Sequence, residues 1–496
     1  MKIFHLKAYK TKVAMLAILA VPLLGSITSC KKDFLVAEPE LSLPDGEAFA
    51  NPTRILGQVN GLYVSAKAGS LFGGRYLIYN DIRAEDFVNR TGNGVTGYTV
   101  YQGTNTSSDT YVNNFWTQGY LTINRANLFL QGLLDNPDVL TQALNDNYVG
   151  EAKFVRALTY FSLIQIFAKP YVLDNGASRG MPLRLQPETS LANNSLKSSS
   201  VAQVYAQILK DLDEAEAGLP DTYTTALLRT TRAHKNSAIA LKLRVYLTMG
   251  NYAKALEEGN KIVPQAAPFV NAARTAHALQ ANIVNVFAAP YTTSESIFSF
   301  PFADTNAPGT QNQIGYYFSW AGSGNLEYSL NKTGAGIYAD PAWPTSDARK
   351  SALTATSTVG GSLLSYPTKF SGASPYIDFV PMIRYAEVLL NVAEAEALAP
   401  GGNLARSRAL LEAVRFRSDP TYSFGSLATS GDLVAAILKE RRIELLSEGF
   451  RYNDIARKAA PLPSFGAGSS IPVTDERYTF PIPIGEINTN PEVLDL

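Results

Sequence analysis

Apolar positions recur at helical spacing through two long stretches of the chain and fade between them. In 113–134, Phe115, Leu121, Ile123, Leu128 and Leu130 return to one side of a helix. In 145–167, Phe154, Leu158, Phe161, Leu163 and Ile166 do the same. Arg156, Tyr160 and Phe161 lie on this strongly periodic segment. They are expected as core and helix–helix contacts, as is Trp116. A shorter pattern predicts a helix over 54–67. Ser200 stands as N-cap to 201–219, which Gly218 and Pro220 close. Helices are expected at 232–249 and 252–263, broken by Gly250-Asn251. The pattern resumes over 381–398, where Pro381 suits a first helical turn, and continues over 403–417 and 432–448. The Pro-rich tail 478–496 reads as extended.

Residues 264–380 are different. They are rich in Gly, Pro, Ser, Thr and aromatic residues and have little helical period. A long irregular stretch inside a compact protein is usually functional or disordered, and the tyrosines and tryptophans here argue for an ordered surface. A faint internal repeat flanks this region. Gly250-Asn251-Tyr252-Ala253-Lys254 joins one helix pair and Gly402-Asn403-Leu404-Ala405-Arg406 joins another. The first pair resembles the tetratricopeptide helix–turn–helix pattern, whose units stack and bury a shared apolar seam. The fold class expected is mostly α: a tetratricopeptide-like helical repeat scaffold with long irregular aromatic-rich loops.

The N-terminus changes the charge balance. A basic head with Lys2, Lys7, Lys10 and Lys12 precedes the apolar run 13–27. That run is shorter than the roughly 20 residues a bilayer span needs, and has the layout of a signal peptide. Ile27-Thr28-Ser29-Cys30 places small residues before the only cysteine of the chain. This resembles a bacterial lipobox, in which Cys30 is lipidated and becomes the first mature residue, so the protein is expected on a membrane rather than through it. Lys31 follows without an acidic retention residue, which fits sorting to the outer membrane. The chain has 43 basic and 43 acidic residues, and losing those four lysines leaves a mildly acidic body. Nucleic acid is therefore not an expected partner. One cysteine excludes a disulfide framework and a Cys-built zinc site. His234 and His277 stand far apart in the chain, which argues against a His-rich metal site. No cofactor is expected, with structural calcium on carboxylates and carbonyls left open.

Several segments together resemble the SusD/RagB family, outer-membrane lipoproteins of Bacteroidetes that capture nutrients for a TonB-dependent transporter. They are Cys30 with Asp33-Phe34-Leu35 and Pro39, then 151–167 (EAKFVRALTYFSLIQIF), then the helix pair around 241–262. They continue with 381–395 (PMIRYAEVLLNVAEA), 440–457 (ERRIELLSEGFRYNDIAR) and the closing Pro481-Ile-Pro483, Glu486-Ile487 and Asn490-Pro491. The family often has aromatic residues where Tyr452-Asn453 stand, and Gly where Ala168 follows Phe167. The resemblance implies a signal peptide (1–29), a lipid-proximal tether (30–50), an N-terminal helical part (51–263), a loop-rich ligand region (264–380) and a C-terminal helical part with its tail (381–496). It implies a glycan ligand, a SusC-like TonB-dependent outer-membrane transporter as partner, a membrane contact through the lipid anchor, and no enzymatic activity.

Glu440, Glu444 and Glu448 share one face of a predicted helix, and carboxylates about 5 to 9 Å apart can hydrolyse glycosides. Arg441, Arg442, Arg451 and Arg457 are expected to pair with them and with Asp454. Such pairing lowers carboxyl pKa values, whereas a general acid needs one raised. Arg384 with Glu387 is read the same way, as are the contacts of Glu394. Binding residues are expected in loops, where flat rings beside short polar groups match a neutral sugar. Two stretches have this mixture. One is 79–87 with Asp81 and Arg83, leading to Tyr98 and Tyr101. The other is 311–320 with Tyr316, Tyr317 and Trp320, and Tyr338 and Trp343 beyond. Asp81 and Arg83 read equally as a structural pair. A peptide-binding member of the family is the alternative, and a surface glycosidase or a pure envelope scaffold are further ones.

Overall fold

The computed structural model describes residues 47–322, 325–463 and 468–496. Cys30, the signal segment and most of the tether therefore lie outside the described residues. In chain order the first helices are α1 (Pro52–Ala66), α2 (Arg75–Ile82), the single turn α3 (Tyr98–Gln102), α4 (Thr110–Asp135) and α5 (Gln142–Phe167). Then come α6 (Val201–Gly218), α7 (Ala226–Thr231), α8 (Lys235–Thr248), α9 (Tyr252–Gly259), α10 (Ile314–Phe318) and α11 (Ala348–Ala352). The last are α12 (Tyr385–Leu398), α13 (Leu404–Ser418), α14 (Ser430–Glu444), α15 (Arg451–Ala456) and α16 (Ile484–Thr489). None of the described helices is long and apolar enough to cross a membrane.

The long helices pack in succession: α4 on α5, α5 on α6, α6 on α8, α8 on α9, α9 on α12, and α12 on both α13 and α14. This is the stacked-hairpin arrangement of a helical repeat protein. The turn chemistry explains where the hairpins bend. Ser200 and Gln203 form a reciprocal capping box at the start of α6. Gly250 takes φ +72° before α9, and Asn251 accepts from the Lys254 N–H at 3.2 Å. Gly401 takes φ +74° before α13, and Asn403 accepts from the Arg406 N–H at 3.1 Å. The repeat seen in sequence is thus a repeat of turn geometry. Close packing between units rests on Gly259, where a Cβ would lie 2.4 Å from Val392. Trp116, Arg156, Tyr160 and Phe161 are buried, as expected. The Arg156 fork donates to both Asp211 carboxylate oxygens at 2.8 and 2.6 Å and to Asn127 at 2.7 Å, which ties α4, α5 and α6 together.

Several expectations are corrected. Residues 380–384 are strand, and α12 starts only at Tyr385. Among the described residues there are six strands, β1 (Phe87–Asn89), β2 (Ser296–Phe300), β3 (Tyr328–Leu330), β4 (Thr354–Val359), β5 (Ser362–Pro367) and β6 (Val380–Arg384). They form three antiparallel pairs, β1–β3, β2–β6 and β4–β5. Pro381 is tolerated because β6 pairs on one side only. The region 264–380 accordingly holds most of the strand. The helix expected over 252–263 ends at Gly259, and that over 432–448 ends at Glu444. Ser447 and Gly449, at φ +64° and +78°, turn the chain away there. The tail is not simply extended: it holds α16 and two short 3₁₀ turns.

The acidic run of α14 is part of an internal ion network. Glu440 pairs with Arg349 and, at 2.7 Å, with Arg415. Glu444 meets Arg349 at 2.9 Å, Arg384 at 3.0 Å and Arg417 at 2.7 Å. Glu448 meets Lys369 and Arg384, each at 2.6 Å. The pairing expected for these acids is therefore real but its partners differ. Arg442 and Arg451 go instead to Glu85 and Asp86, while Arg441 and Arg457 hold Asp454 as anticipated. Glu387 pairs with Arg244 at 2.6 Å rather than with Arg384, and Glu394 pairs with Arg457 at 2.6 Å. Burial pushes Glu444 up, but the surrounding arginines outweigh it and hold it well below the usual carboxylate range. Such a carboxylate is a poor general acid.

His234 and His277, distant in sequence, stack at 5.6 Å in the interior. Burial lowers them to about 3 and about 4, so both are neutral at pH 7. Glu394 sits at about 2, where burial raises it and Arg457 and Lys458 lower it more. Each of these groups binds more protons unfolded than folded as pH falls, so each draws stability down. Stability is expected to fall as pH drops below about 6.5 through the two histidines, and further below about 4.5 through Glu394; Asp81, which burial raises to about 8, takes up its proton in the folded state first and offsets part, but not all, of this loss. Denaturant midpoints at pH 7, 5.5 and 4 check this; a flat profile from 7 to 4 contradicts it.

Candidate functional site

The aromatic loop region is organised from beneath by α2, which is buried along its whole length. Arg75 at its start donates from Nε to Asn312 Oδ1 at 2.8 Å, from Nη1 to Tyr79 Oη at 2.9 Å and the Val95 carbonyl at 2.8 Å, and from Nη2 to the Gln311 carbonyl at 3.1 Å. The Tyr317 hydroxyl donates to the same Gln311 carbonyl at 2.9 Å. One guanidinium thus fixes the loop that leads into α10. The loop can approach because Gly74 has no side chain: a Cβ there would lie 1.6 Å from the Asn312 carbonyl oxygen.

Above this clamp runs a ladder of six tyrosines. Tyr98 stacks on Tyr101 at 6.3 Å, and Tyr101 meets Tyr328 edge-on at 5.7 Å. Tyr328 stacks on Tyr317 at 6.1 Å and an interplanar angle of 3°. Tyr317 meets Tyr316, and Tyr316 meets Tyr376, each edge-on at 6.1 Å. The middle rungs are buried, and the ends Tyr98, Tyr316 and Tyr376 are half-buried. Offset and edge-on rings of this kind hold each other in place and present rigid faces to solvent. Gln102 donates to the Tyr98 hydroxyl at 2.9 Å, which sets a short polar group beside a ring.

Trp320 is half-buried and stands just past α10. Its backbone is held by the loop 371–376: Gly372 lies so close that a Cβ would sit 2.9 Å from the Trp320 nitrogen and carbonyl carbon. Ser319 donates to the Pro367 carbonyl at 2.9 Å. The loop that brings Tyr376 against Tyr316 therefore also seats Trp320. Residues 305–326 carry no Asp, Glu, Lys or Arg, so the face is uncharged along this stretch.

The residues singled out in sequence divide. Tyr98, Tyr316 and Trp320 reach the surface; Tyr101 and Tyr317 are interior rungs. Asp81 is buried and accepts from the Gly449 N–H at 2.9 Å and the Arg451 N–H at 3.4 Å. Burial pushes its carboxyl up to about 8. Arg83 is buried over the Tyr452 ring at 4.1 Å and donates to the Tyr478 carbonyl at 2.6 Å. Both were expected as candidate ligand contacts or as a structural pair. They prove structural, and each pairs with the C-terminal part rather than with the other. The whole stretch 79–87 is buried, and Trp343 with it. Tyr376 was missed; an aromatic residue directly after Pro375 in a Gly/Ser loop was its one sign. Among the described residues no group of three or more His, Cys, Asp or Glu could hold a metal ion.

The fold and site together define a mostly helical repeat protein whose aromatic loops lay a tyrosine ladder, with half-buried outer rings, against the body. Comparison with known proteins agrees. Residues 33–247 match a family described as starch-binding, associating with outer membrane, and residues 244–495 match the SusD family. The chain is 33% identical to a SusD superfamily protein from Bacteroides fragilis, with a TM-score of 0.80 over 90% of this chain and 100% of that one. A second SusD superfamily structure, from Bacteroides thetaiotaomicron, gives 25% identity and a TM-score of 0.77 over 89% and 99%. The SusD-like protein P2 of Formosa agariphila is 26% identical over 486 residues, 88% of this chain and 90% of the relative. The chain belongs to the SusD family.

Proposed function

We propose that this protein is a lipid-anchored, outward-facing capture protein of the outer membrane. It holds oligosaccharide or polysaccharide on the face made by Tyr98, Tyr316, Trp320 and Tyr376 and passes it to a SusC-like TonB-dependent transporter. Cys30 is the proposed lipid site. The observation that carries the reading is the set of half-buried rings: Tyr316 and Trp320 on a stretch without charge, and Tyr98 and Tyr376 held against neighbouring tyrosines. Sugar C–H faces stack on such rings while hydroxyls meet neighbouring amides such as Gln102. The description of the matching family points the same way. Binding is the whole of the activity proposed, and the acids that could suggest hydrolysis are held by arginines in the interior.

The test is retention of the mature chain on native gels containing a panel of neutral polysaccharides, with reducing ends followed in parallel. Retardation by a glycan without product is the expected result. Release of reducing ends would make the protein an enzyme. Retention by peptides alone would move it to the peptide-binding branch.

A further inference from the structure

A cavity of about 390 Å³ opens near α7, lined among others by Arg229, Thr230, Arg274, His277, Thr292 and Ser294. No ring of the tyrosine ladder borders it, and its lining contains no Asp or Glu. The two arginines, Arg229 half-buried and Arg274 exposed, carry more positive charge than the carboxylates near them neutralise. Arg229 Nη1 donates only to main-chain carbonyls, Tyr223 at 3.1 Å and Thr224 at 3.4 Å, and has no carboxylate partner among the described residues. Arg274 donates to Asn236 Oδ1 at 3.3 Å and reaches Asp221 only at 3.7 Å, an acid already shared with Lys235 at 3.2 Å. Arg274 also holds φ +59°, a conformation that side-chain-bearing residues seldom adopt.

Apart from His277 and two alanines, Ala226 and Ala276, the rest of the wall is hydroxyl. Thr230, 2% exposed overall, and the half-buried Thr292 both line this wall. The floor is the imidazole of His277, whose Nδ1 lies 3.2 Å from the Ser294 carbonyl and which burial keeps neutral. A surplus of guanidinium charge beside a wall rich in hydroxyls favours a ligand that is anionic at one end and hydroxylated along the rest. A bare inorganic anion would fill only part of this volume and would leave the hydroxyl wall unmatched.

We propose that this cavity is a second ligand site that takes an acidic sugar of the uronic acid class, its carboxylate on Arg229 and Arg274 and its ring hydroxyls on Thr230 and Thr292. The site is separate from the aromatic face and is independent of what that face binds. The same chemistry fits a free uronate or the uronate end of a glycan chain.

The experiment is calorimetric titration of the full mature chain with sodium glucuronate, glucose, sodium sulfate and a glucuronate-ended disaccharide. Glucuronate is expected to bind at least tenfold tighter than glucose or sulfate. The disaccharide then separates the sources: tighter binding marks a chain end, weaker binding a free acid. Arg274→Gly removes the guanidinium and suits the left-handed backbone, so the fold is retained. It and Arg229→Ala should each weaken glucuronate at least tenfold, while Trp320→Ala leaves it unchanged. Equal binding of glucose, equal binding of sulfate, no binding of glucuronate, or indifference to both arginine variants each overturns the proposal. Loss of glucuronate in Trp320→Ala would overturn it too, by placing the ligand on the aromatic face.

Discussion

Glu444→Gln is expected to destabilise the protein by about 3–5 kcal/mol. The residue sits in a buried cluster of Glu295, Asp347, Glu440, Glu444 and Glu448 with Arg349, Lys369, Arg384, Arg415 and Arg417. Five acids face five bases there, and removing one acid leaves an uncompensated cation in the interior. Arg417 suffers most, because its other carboxylate, Glu295, is shared with Arg384. The amide keeps the shape of the side chain, so the loss reports charge and hydrogen bonding rather than a cavity. Glu412→Gln, which touches only exposed Arg408, should change stability by less than about 1 kcal/mol. Urea unfolding of both variants decides the matter. A Glu444→Gln loss no larger than that of Glu412→Gln would mean the cluster is solvated or rearranges freely. The cluster joins α11, β6, α13 and α14, so its loss would loosen the C-terminal part as a unit.

Trp320→Ala is expected to weaken retention by the bound glycan about tenfold to thirtyfold, about 1.4–2 kcal/mol, with little change in thermal stability. The ring is half-buried and its backbone is held by Ser319 and the loop at Gly372 rather than by the indole. Tyr317→Ala is the contrast. That ring is fully buried between Tyr328 and Tyr316, and its loss should cost about 3–5 kcal/mol in unfolding experiments. Collapse of the thermal transition in Trp320→Ala would show that the indole is core. Unchanged retention with an intact fold would remove it from the binding face.

Much of the scaffold was legible because its cues are local. The 3.6-residue return of apolar positions gave α4 and α5, Ser200 marked α6, and the Gly-Asn pairs marked the bends before α9 and α13. The β4–β5 hairpin is also locally encoded, by Gly360-Gly361 with both residues at positive φ between alternating segments, although the Gly/Ser/Thr-rich composition around it looks irregular. β6 was not legible in this way. Pro381 fits a helix start as well as a strand, and only the backbone of β2 beside it selects the strand.

The candidate site divides along the same line. Sequence identifies which loops carry rings without charge, because composition alone shows that 305–326 lacks ionisable side chains. It does not say which rings face water. Tyr316 and Tyr317 are neighbours of one type; one is half-buried and the other is sealed between Tyr316 itself and Tyr328, with the distant Arg75 guanidinium 5.8 Å from its ring. Asp81 and Arg83 look like binding residues until Gly449, Arg451, Tyr452 and Tyr478 arrive from hundreds of residues away to occupy them. Helix periodicity, caps and the family were set by short-range pattern. The partners of most buried charges, and the exposure of the loop rings, were decided by tertiary contacts, because burial and pairing there depend on what packs across from a residue and not on what precedes it in the chain.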